Sequence, residues 1–580
     1  MNEPTLSLTI SRYIRLIPVI ALSLGTIGPA YSQGGMAGPY LAARVANKTG
    51  DFAAAVEYGI RALARDPQNM QLMKGLLVAQ IGLGKFDQAV PVARRLHGLD
   101  ANSQMANLVL LVDRIKAEDW DGALALHNDG ARIGGIVDDL VQGWAYIGKG
   151  QIAEAKASFD EMAQSGQSRQ VAIYHKALAL ALAEDYQGAA DILSGETGGN
   201  LSLQRSGVLA YVQVLSQLER NPDAVDLIDK AFPRGGDPAI RNLRAELAAG
   251  KPIPFDMVTS PRDALSQVVT QTAQSLSQGA DPNVALLYSR ASEYLNPDRT
   301  LATFLSASLL EELKLHELAV ETYSTIPQND PQYFLATLAR AEVLRQMDQT
   351  DEAIDVLINL AAANPKRPRV FQILGDTYRL QKRFEEAAEA YDNAIALFQR
   401  PAQSQWSLYF SRGISRERTG RWNQAEADFR KALELNPEQP TVLNYLGYSF
   451  VEQGENLDEA LDMIKRAVAA RPDDGYITDS LGWVYYRLGR YEEAVIEMER
   501  AVELKPVDPV VNDHLGDVYW AVGRHREAEF QWRRALSFIT EDDDPEEVRP
   551  DRMRRKLDVG LDVVLEEEGA EPLLSTDGDG

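Results

Sequence analysis

The side chains best equipped for chemistry in this chain are its six histidines (His97, His127, His175, His316, His514 and His525), two glycine turns that carry lysine, and a dense set of carboxylates. A zinc peptidase places two histidines four apart on one helix with a glutamate beside the first. His316-Glu317 begins that pattern, but Val320 stands where the second histidine belongs. Gly82-Leu83-Gly84-Lys85-Phe86 and Gly148-Lys149-Gly150 share fragments of a phosphate-cradling loop. Both lack the upstream glycine spacing, and neither has the Ser or Thr after lysine that binds magnesium. Each fits better as a tight turn between helices. Cysteine is absent, which excludes thiol catalysis, disulfides, thiolate metal sites and a lipid-modified N-terminal cysteine. Acidic residues number 84 against 59 basic ones, a net charge of −25, with no basic stripe to attract a phosphate backbone, so nucleic acid is not an expected partner. Abundant carboxylates without a defined acid–base pair do not make an active site. The expectation is a chain that is not an enzyme and holds no cofactor and no metal. Its chemistry then lies on its surfaces.

Those surfaces depend on the elements that carry them, and the elements repeat. Tyr476 to Pro506 contains Leu481-Gly482, then Tyr485, Ala494, Met498, Ala501 and Pro506. Gly482 and Ala494 let two helices cross closely, Leu481, Tyr485 and Met498 fill the seam, and Pro506 ends the second helix. Gly516 stands 34 residues on, followed by Tyr519, Ala528, Trp532 and Ala535. Gly447, 35 residues back, is followed by Phe450, Ala460, Ile464, Ala467 and Pro472, the extra residue falling in the turn Gly454–Leu457. The series runs back through Gly413, Gly375, Ala341, Ala307 and Ala273, and more faintly through Val212, Ala177, Gly143, Leu111, Leu77 and Ala43. Alanine occupies the crossing position of every second helix: Ala55, Ala89, Ala123, Ala155, Ala189, Ala224, Ala285, Ala319, Ala353, Ala387, Ala425, Ala460, Ala494 and Ala528. A period of 34 with this pattern resembles the tetratricopeptide repeat. The fold class expected is all-α, a right-handed α-solenoid of helix–turn–helix repeats in two blocks.

Arg12 and Arg15 precede an apolar run, Leu16–Ile27, and Ala30 and Ser32 place small residues before a cut at Gln33. Residues 1–32 read as an export signal, so the expected location is the periplasm; the alternative is a frayed first helix. No later segment is apolar enough to span a bilayer, so the mature chain is expected to carry neither a transmembrane helix nor a lipid anchor. Residues 36–232 form a degenerate repeat block. The step of 61 from Val212 to Ala273, with Pro233, Pro238, Pro252, Pro254 and Pro261 inside it, marks 233–261 as an irregular joint. Residues 262–540 form a regular block, 545–565 a C-terminal capping helix, and 566–580 an acidic, disordered tail.

In tetratricopeptide superhelices the first helix of each pair lines the concave groove. The resemblance implies groove positions at Asn444, Tyr448, Tyr476, Asp479, Trp483, Tyr486, Arg487, Asp513, Asp517 and Trp520. Tyr448, Trp483, Tyr486 and Trp520 would serve as anchors for a partner, or pack between neighbouring first helices. The Lys/Asn/Arg clamp of chaperone-binding repeats is missing, with Asn444/Tyr448, Asp479/Trp483 and Asp513/Asp517 in its place. A basic or aromatic-accepting segment therefore fits better than an acidic tail. Asp479-Ser-Leu-Gly-Trp-Val-Tyr-Tyr-Arg-Leu-Gly489, Asp513-His-Leu-Gly-Asp-Val-Tyr-Trp-Ala-Val-Gly523 and Phe530-Gln-Trp-Arg-Arg-Ala535 resemble exported bacterial adaptors. That group includes the lipoprotein partner of a carboxy-terminal processing protease. The resemblance implies a non-catalytic scaffold or adaptor of the cell envelope that recruits or activates such a protease and its substrates, among them cell-wall hydrolases. The missing cysteine departs from the lipoprotein. The alternative is a structural subunit of an export or polysaccharide-secretion complex.

Overall fold

The computed structural model describes residues 37–573 except 165, 167, 198–200, 202, 234–236, 280 and 542. The expected export signal, residues 1–32, lies outside the described residues. The described secondary structure is helical throughout, an α-solenoid of helix pairs. The pair Gly475–Arg487 and Tyr491–Leu504 shows how sequence makes a unit. Asp474 caps the first helix, its carboxylate accepting from the Tyr476 and Ile477 amides. Gly489 takes a left-handed φ of 73° and the Arg490 amide closes back on the Tyr485 carbonyl, ending the helix sharply. Among the described residues the same left-handed turn recurs two residues before the second helix of most pairs, and three before Leu457. Glycine holds it at Gly50, Gly84, Gly150, Gly420, Gly454 and Gly523, but Glu118, Glu184, Glu219, Lys314, Asp348 and Lys382 hold it with φ between 56° and 64°. All fourteen crossing alanines are buried. At Gly516 an added Cβ would meet the Trp532 indole at 2.4 Å, so the missing side chain is what admits that ring.

The chain divides into two compact units at Leu315–His316. Among the described residues the first holds six successive helix pairs, a lone helix Pro238–Ala248, a seventh pair Pro261–Ser277 and Pro282–Leu295, and Thr300–Glu312. The joint expected at 233–261 falls inside this unit. Residues 250–260 run over the helix Arg205–Gln217 and are pinned there: Ser216 Oγ accepts from the Ile253 amide at 2.9 Å and Gln213 Oε1 from the Asp256 amide at 3.1 Å. Ser260 then caps the helix Pro261–Ser277. That helix and its partner Pro282–Leu295 turn back against the first helices Met70–Gly82, Gln104–Lys116 and Ile136–Gly148. Leu265, Val268, Val269, Leu287, Ala291 and Leu295 join one buried cluster with Leu76, Leu108, Val109 and Leu140. Tyr294 stacks on Phe86 at 4.4 Å and donates to Asp87 at 2.6 Å, and Tyr288 donates to the Ile133 carbonyl at 3.1 Å. A fully buried histidine, His175, accepts from Trp144 Nε1 at 3.1 Å, and burial lowers its pKa to about 4.

The second unit holds His316–Ser324, six helix pairs and a terminal segment. The single capping helix expected over 545–565 is three helices, Pro545–Val548, Pro550–Val559 and Leu561–Glu567. The breaks lie at Arg549, with φ 49° ahead of Pro550, and at Gly560, with φ 86°. Gly560 faces Trp520, whose ring an added Cβ would meet at 2.7 Å. This strap folds back beside the last repeats with Met553 and Leu561 fully buried. The tail expected to begin at 566 is helical to Glu567, and Glu568–Leu573 continue along the groove described next; residues 574–580 lie outside the described residues.

Candidate partner-binding groove

The first helices Pro440–Gln453, Gly475–Arg487 and Pro509–Ala521 present their outward faces to a cavity of about 1430 Å³. The strap forms the facing wall through Val548, Arg549, Arg552, Leu565 and residues 568–573. Asp544 reaches across to Lys382 at 2.7 Å. Eight of the ten residues assigned to the groove line this cavity: Asn444, Tyr448, Tyr476, Asp479, Trp483, Tyr486, Arg487 and Asp513.

The chain itself occupies the other end of the row. Lys556 is fully buried and donates to Asp513 at 2.8 and 2.9 Å and to Asp517 at 2.5 Å. Asp517 also accepts from Trp532 Nε1 at 2.9 Å and from Arg552 at 3.2 Å. Trp520 donates to Asp562 at 2.9 Å and stacks on His525 at 4.1 Å. Asp517 and Trp520 are therefore engaged by the strap rather than turned to the cavity. Burial raises the Asp513 pKa, with Asp517 adding to the rise and Lys556 opposing it.

The aromatics play both roles allowed to them. Trp483 is stacked by Tyr486 at 4.8 Å and by His514 at 4.2 Å, and its Nε1 donates to Glu452 at 2.8 Å. Tyr486 is buried, whereas Tyr476 stands exposed, with its hydroxyl on Asp508 at 3.0 Å and the Lys505 ammonium 4.4 Å from its ring centre. Tyr448 is half-buried beside Glu452 and Asp479, and burial followed by those two carboxylates raises its pKa, so it stays a donor. His514 bonds Asp479 at 3.0 Å. Burial works against its charged form, but Asp479, with Asp513 and Asp517 beyond, outweighs burial and raises its pKa. The amide oxygen of Asn444 is buried without a donor among the described residues.

Sequence reasoning missed Glu417, Glu452, His514, Arg552 and Lys556. The last two had a signal: Arg549, Arg552, Arg554, Arg555 and Lys556 are five cations within eight residues of an acidic chain. Among the described residues no group of three or more His, Cys, Asp or Glu is placed to hold a metal, and no helix is long and apolar enough to cross a membrane.

Residues 40–104 and 453–509 match the tetratricopeptide repeat family model, and residues 333–478 match that of the Pre-mRNA-splicing factor Syf1/CRNKL1 C-terminal HAT repeat. The chain is 29% identical over 195 residues to the TPR repeat-containing protein PA4667 of Pseudomonas aeruginosa, covering 33% of this chain and 32% of that one. It is 26% identical over 234 residues to human Tetratricopeptide repeat protein 13, covering 39% and 26%. Against the Lipoprotein NlpI homolog of Haemophilus influenzae it is 36% identical over 89 residues, covering 15% and 28%. The matched stretches thus span about a third or less of these relatives' lengths. Among solved structures, the APC/C hetero-tetramer Cut9-Hcn1 aligns over 90% of this chain at 16% identity with a TM-score of 0.35. With the period of 34, the buried crossing alanines and the helix pairs they join, the family match over residues 40–104 and 453–509 shows a protein of tetratricopeptide repeats, an all-helical scaffold for contacts with other proteins.

Proposed function

We propose that the chain is an exported docking adaptor of the cell envelope, which holds a partner segment in the groove of its last repeats and brings a carboxy-terminal processing protease together with its substrates. The observation that carries the docking role is the cavity of about 1430 Å³ between the first helices and the strap, lined by Tyr448, Trp483 and Tyr476. The export role rests on the pattern Arg12–Ser32, and the protease link on the likeness of 479–535 to envelope adaptors. Holding two proteins on one scaffold raises their mutual concentration, to about the millimolar range for short flexible spacings.

The test is crosslinking in the source cell. A photoreactive residue at Tyr476 is compared with one at Ile496, an exposed position on a second helix. The expected result is a processing protease or wall hydrolase joined to position 476 alone, and lost when Tyr448 and Trp483 are changed to alanine with helicity unchanged. Secretion-complex subunits joined to both positions would overturn the adaptor reading in favour of a structural subunit. The intact mass of the native protein tests export: a loss equal to residues 1–32 is expected.

A further inference from the structure

The groove carries two sets of carboxylates in different states. Asp513 and Asp517 are satisfied by cations, Lys556 and Arg552. Glu417 and Glu452, further along the same cavity, accept from neutral donors: Tyr445 at 2.6 Å and Ser449 at 3.0 Å for Glu417, Trp483 at 2.8 Å for Glu452. Glu417 is half-buried and Glu452 is exposed beside the Trp483 ring; a carboxylate beside aromatic rings is stabilised more by a cation than by a neutral donor. The chain shows how this groove meets that need two repeats on from Glu452, by laying a lysine ammonium between two carboxylates and over an indole: Lys556 Nζ lies 5.6 Å from the Trp532 ring centre. At Glu452 the corresponding ring surfaces, Tyr448 and Trp483, are in place, and the donor-less Asn444 oxygen stands on the same wall. The cavity exceeds the usual small-ligand range of about 300–1,000 Å³, so it has room for a peptide segment.

Resting on the docking reading above, we infer that the cavity takes a lysine- or arginine-bearing segment of a partner protein, laid between the first helices and the strap with its cations against Glu417 and Glu452. The strap stays in place as one wall, because Met553 and Leu561 anchor it.

The test uses the full chain and three fluorescein-labelled probes: a short lysine–alanine–glycine peptide, the same peptide with every lysine acetylated, and its glutamate counterpart. The lysine peptide should bind, and acetylation should weaken it by about tenfold. Glu417→Gln with Glu452→Gln should cost about the same factor. Glu389→Gln with Glu503→Gln, on exposed second-helix positions, removes the same charge and should cost nothing. Equal weakening by both pairs would mean attraction by net charge, and overturns the inference. Equal binding of the acetylated and lysine peptides, both lost on Tyr448→Ala, would overturn the cation assignment and leave the docking reading standing. If none of the three probes binds, the inference and the docking reading fall together.

Discussion

In the first unit, the first helices Met70–Gly82, Gln104–Lys116 and Ile136–Gly148 are covered by a hairpin of the same chain, and the covering is mainly apolar: Leu265, Val268 and Leu287 join the buried cluster, with the Tyr288 and Tyr294 hydroxyls hydrogen-bonded at its edge. In the second, the first helices of the last repeats are also met by the chain's own later residues, but through ions, with Lys556 and Arg552 on Asp513 and Asp517 and a cavity left beside them. Burying a leucine contributes about 1.5–3 kcal/mol with no demand on direction. A buried ion pair balances desolvation against attraction, and its main effect is to hold one register. Apolar filling builds a scaffold face that is finished, and ionic filling fixes a wall while leaving room for another chain.

The comparison can be broken in four ways. Lys556→Ala strands Asp513 and Asp517 as buried carboxylates, and the second unit should lose about 3–5 kcal/mol in urea unfolding, with faster amide exchange over 550–567. An unchanged midpoint would mean that the strap is held by Met553 and Leu561 alone. Leu265→Ala opens a void under the hairpin and should cost the first unit about 3 kcal/mol without affecting exchange in 509–521. Acidification should then separate the units. His175 has a pKa of about 4 in the folded chain against an ordinary 6.5, so its contribution is complete above 6.5 and falls away as pH drops toward 4, by on the order of 3 kcal/mol. His514 is raised, so its contribution is complete below 6.5 and is lost as pH rises through its folded value. Amide exchange in 169–182 should therefore accelerate between pH 6.5 and 4 while 509–521 keeps its protection; parallel acceleration would remove the distinction. The smallest effect belongs to Lys382→Ala. Its exposed pair with Asp544 should be worth less than about 1 kcal/mol in unfolding, yet a probe peptide should enter the cavity faster without it.

The helix pairs were legible because their signals are local. Gly482 with Ala494, and Gly516 with Ala528, mark a crossing wherever they occur, and even the extra residue at Gly454–Leu457 fell in the expected turn. What the hairpin Pro261–Leu295 covers was not legible, since its pattern is that of any repeat and its destination depends on how Gln213 and Ser216 hold residues 253–256. The 61-residue step and its prolines announced an irregularity without its direction. In the groove, the resemblance assigned ten positions, eight of which line the cavity. It said nothing of the strap, because Lys556 finds Asp513 only after Arg549 has turned the chain, and Gly560 then turns it again against Trp520.

The turns inside the pairs carry a different consequence. Among the described residues, seven hold glycine and six hold Glu, Lys or Asp in the same left-handed backbone, which costs a side-chain-bearing residue about 1 kcal/mol. The backbone there is indifferent to what is attached to it. Each corner is a socket whose occupant is exchangeable, so an evolving gene can repaint the rim of this solenoid one codon and one charge at a time while the spacing of the helices stays constant. The six charged corners also mark where stability lies unclaimed, awaiting glycine.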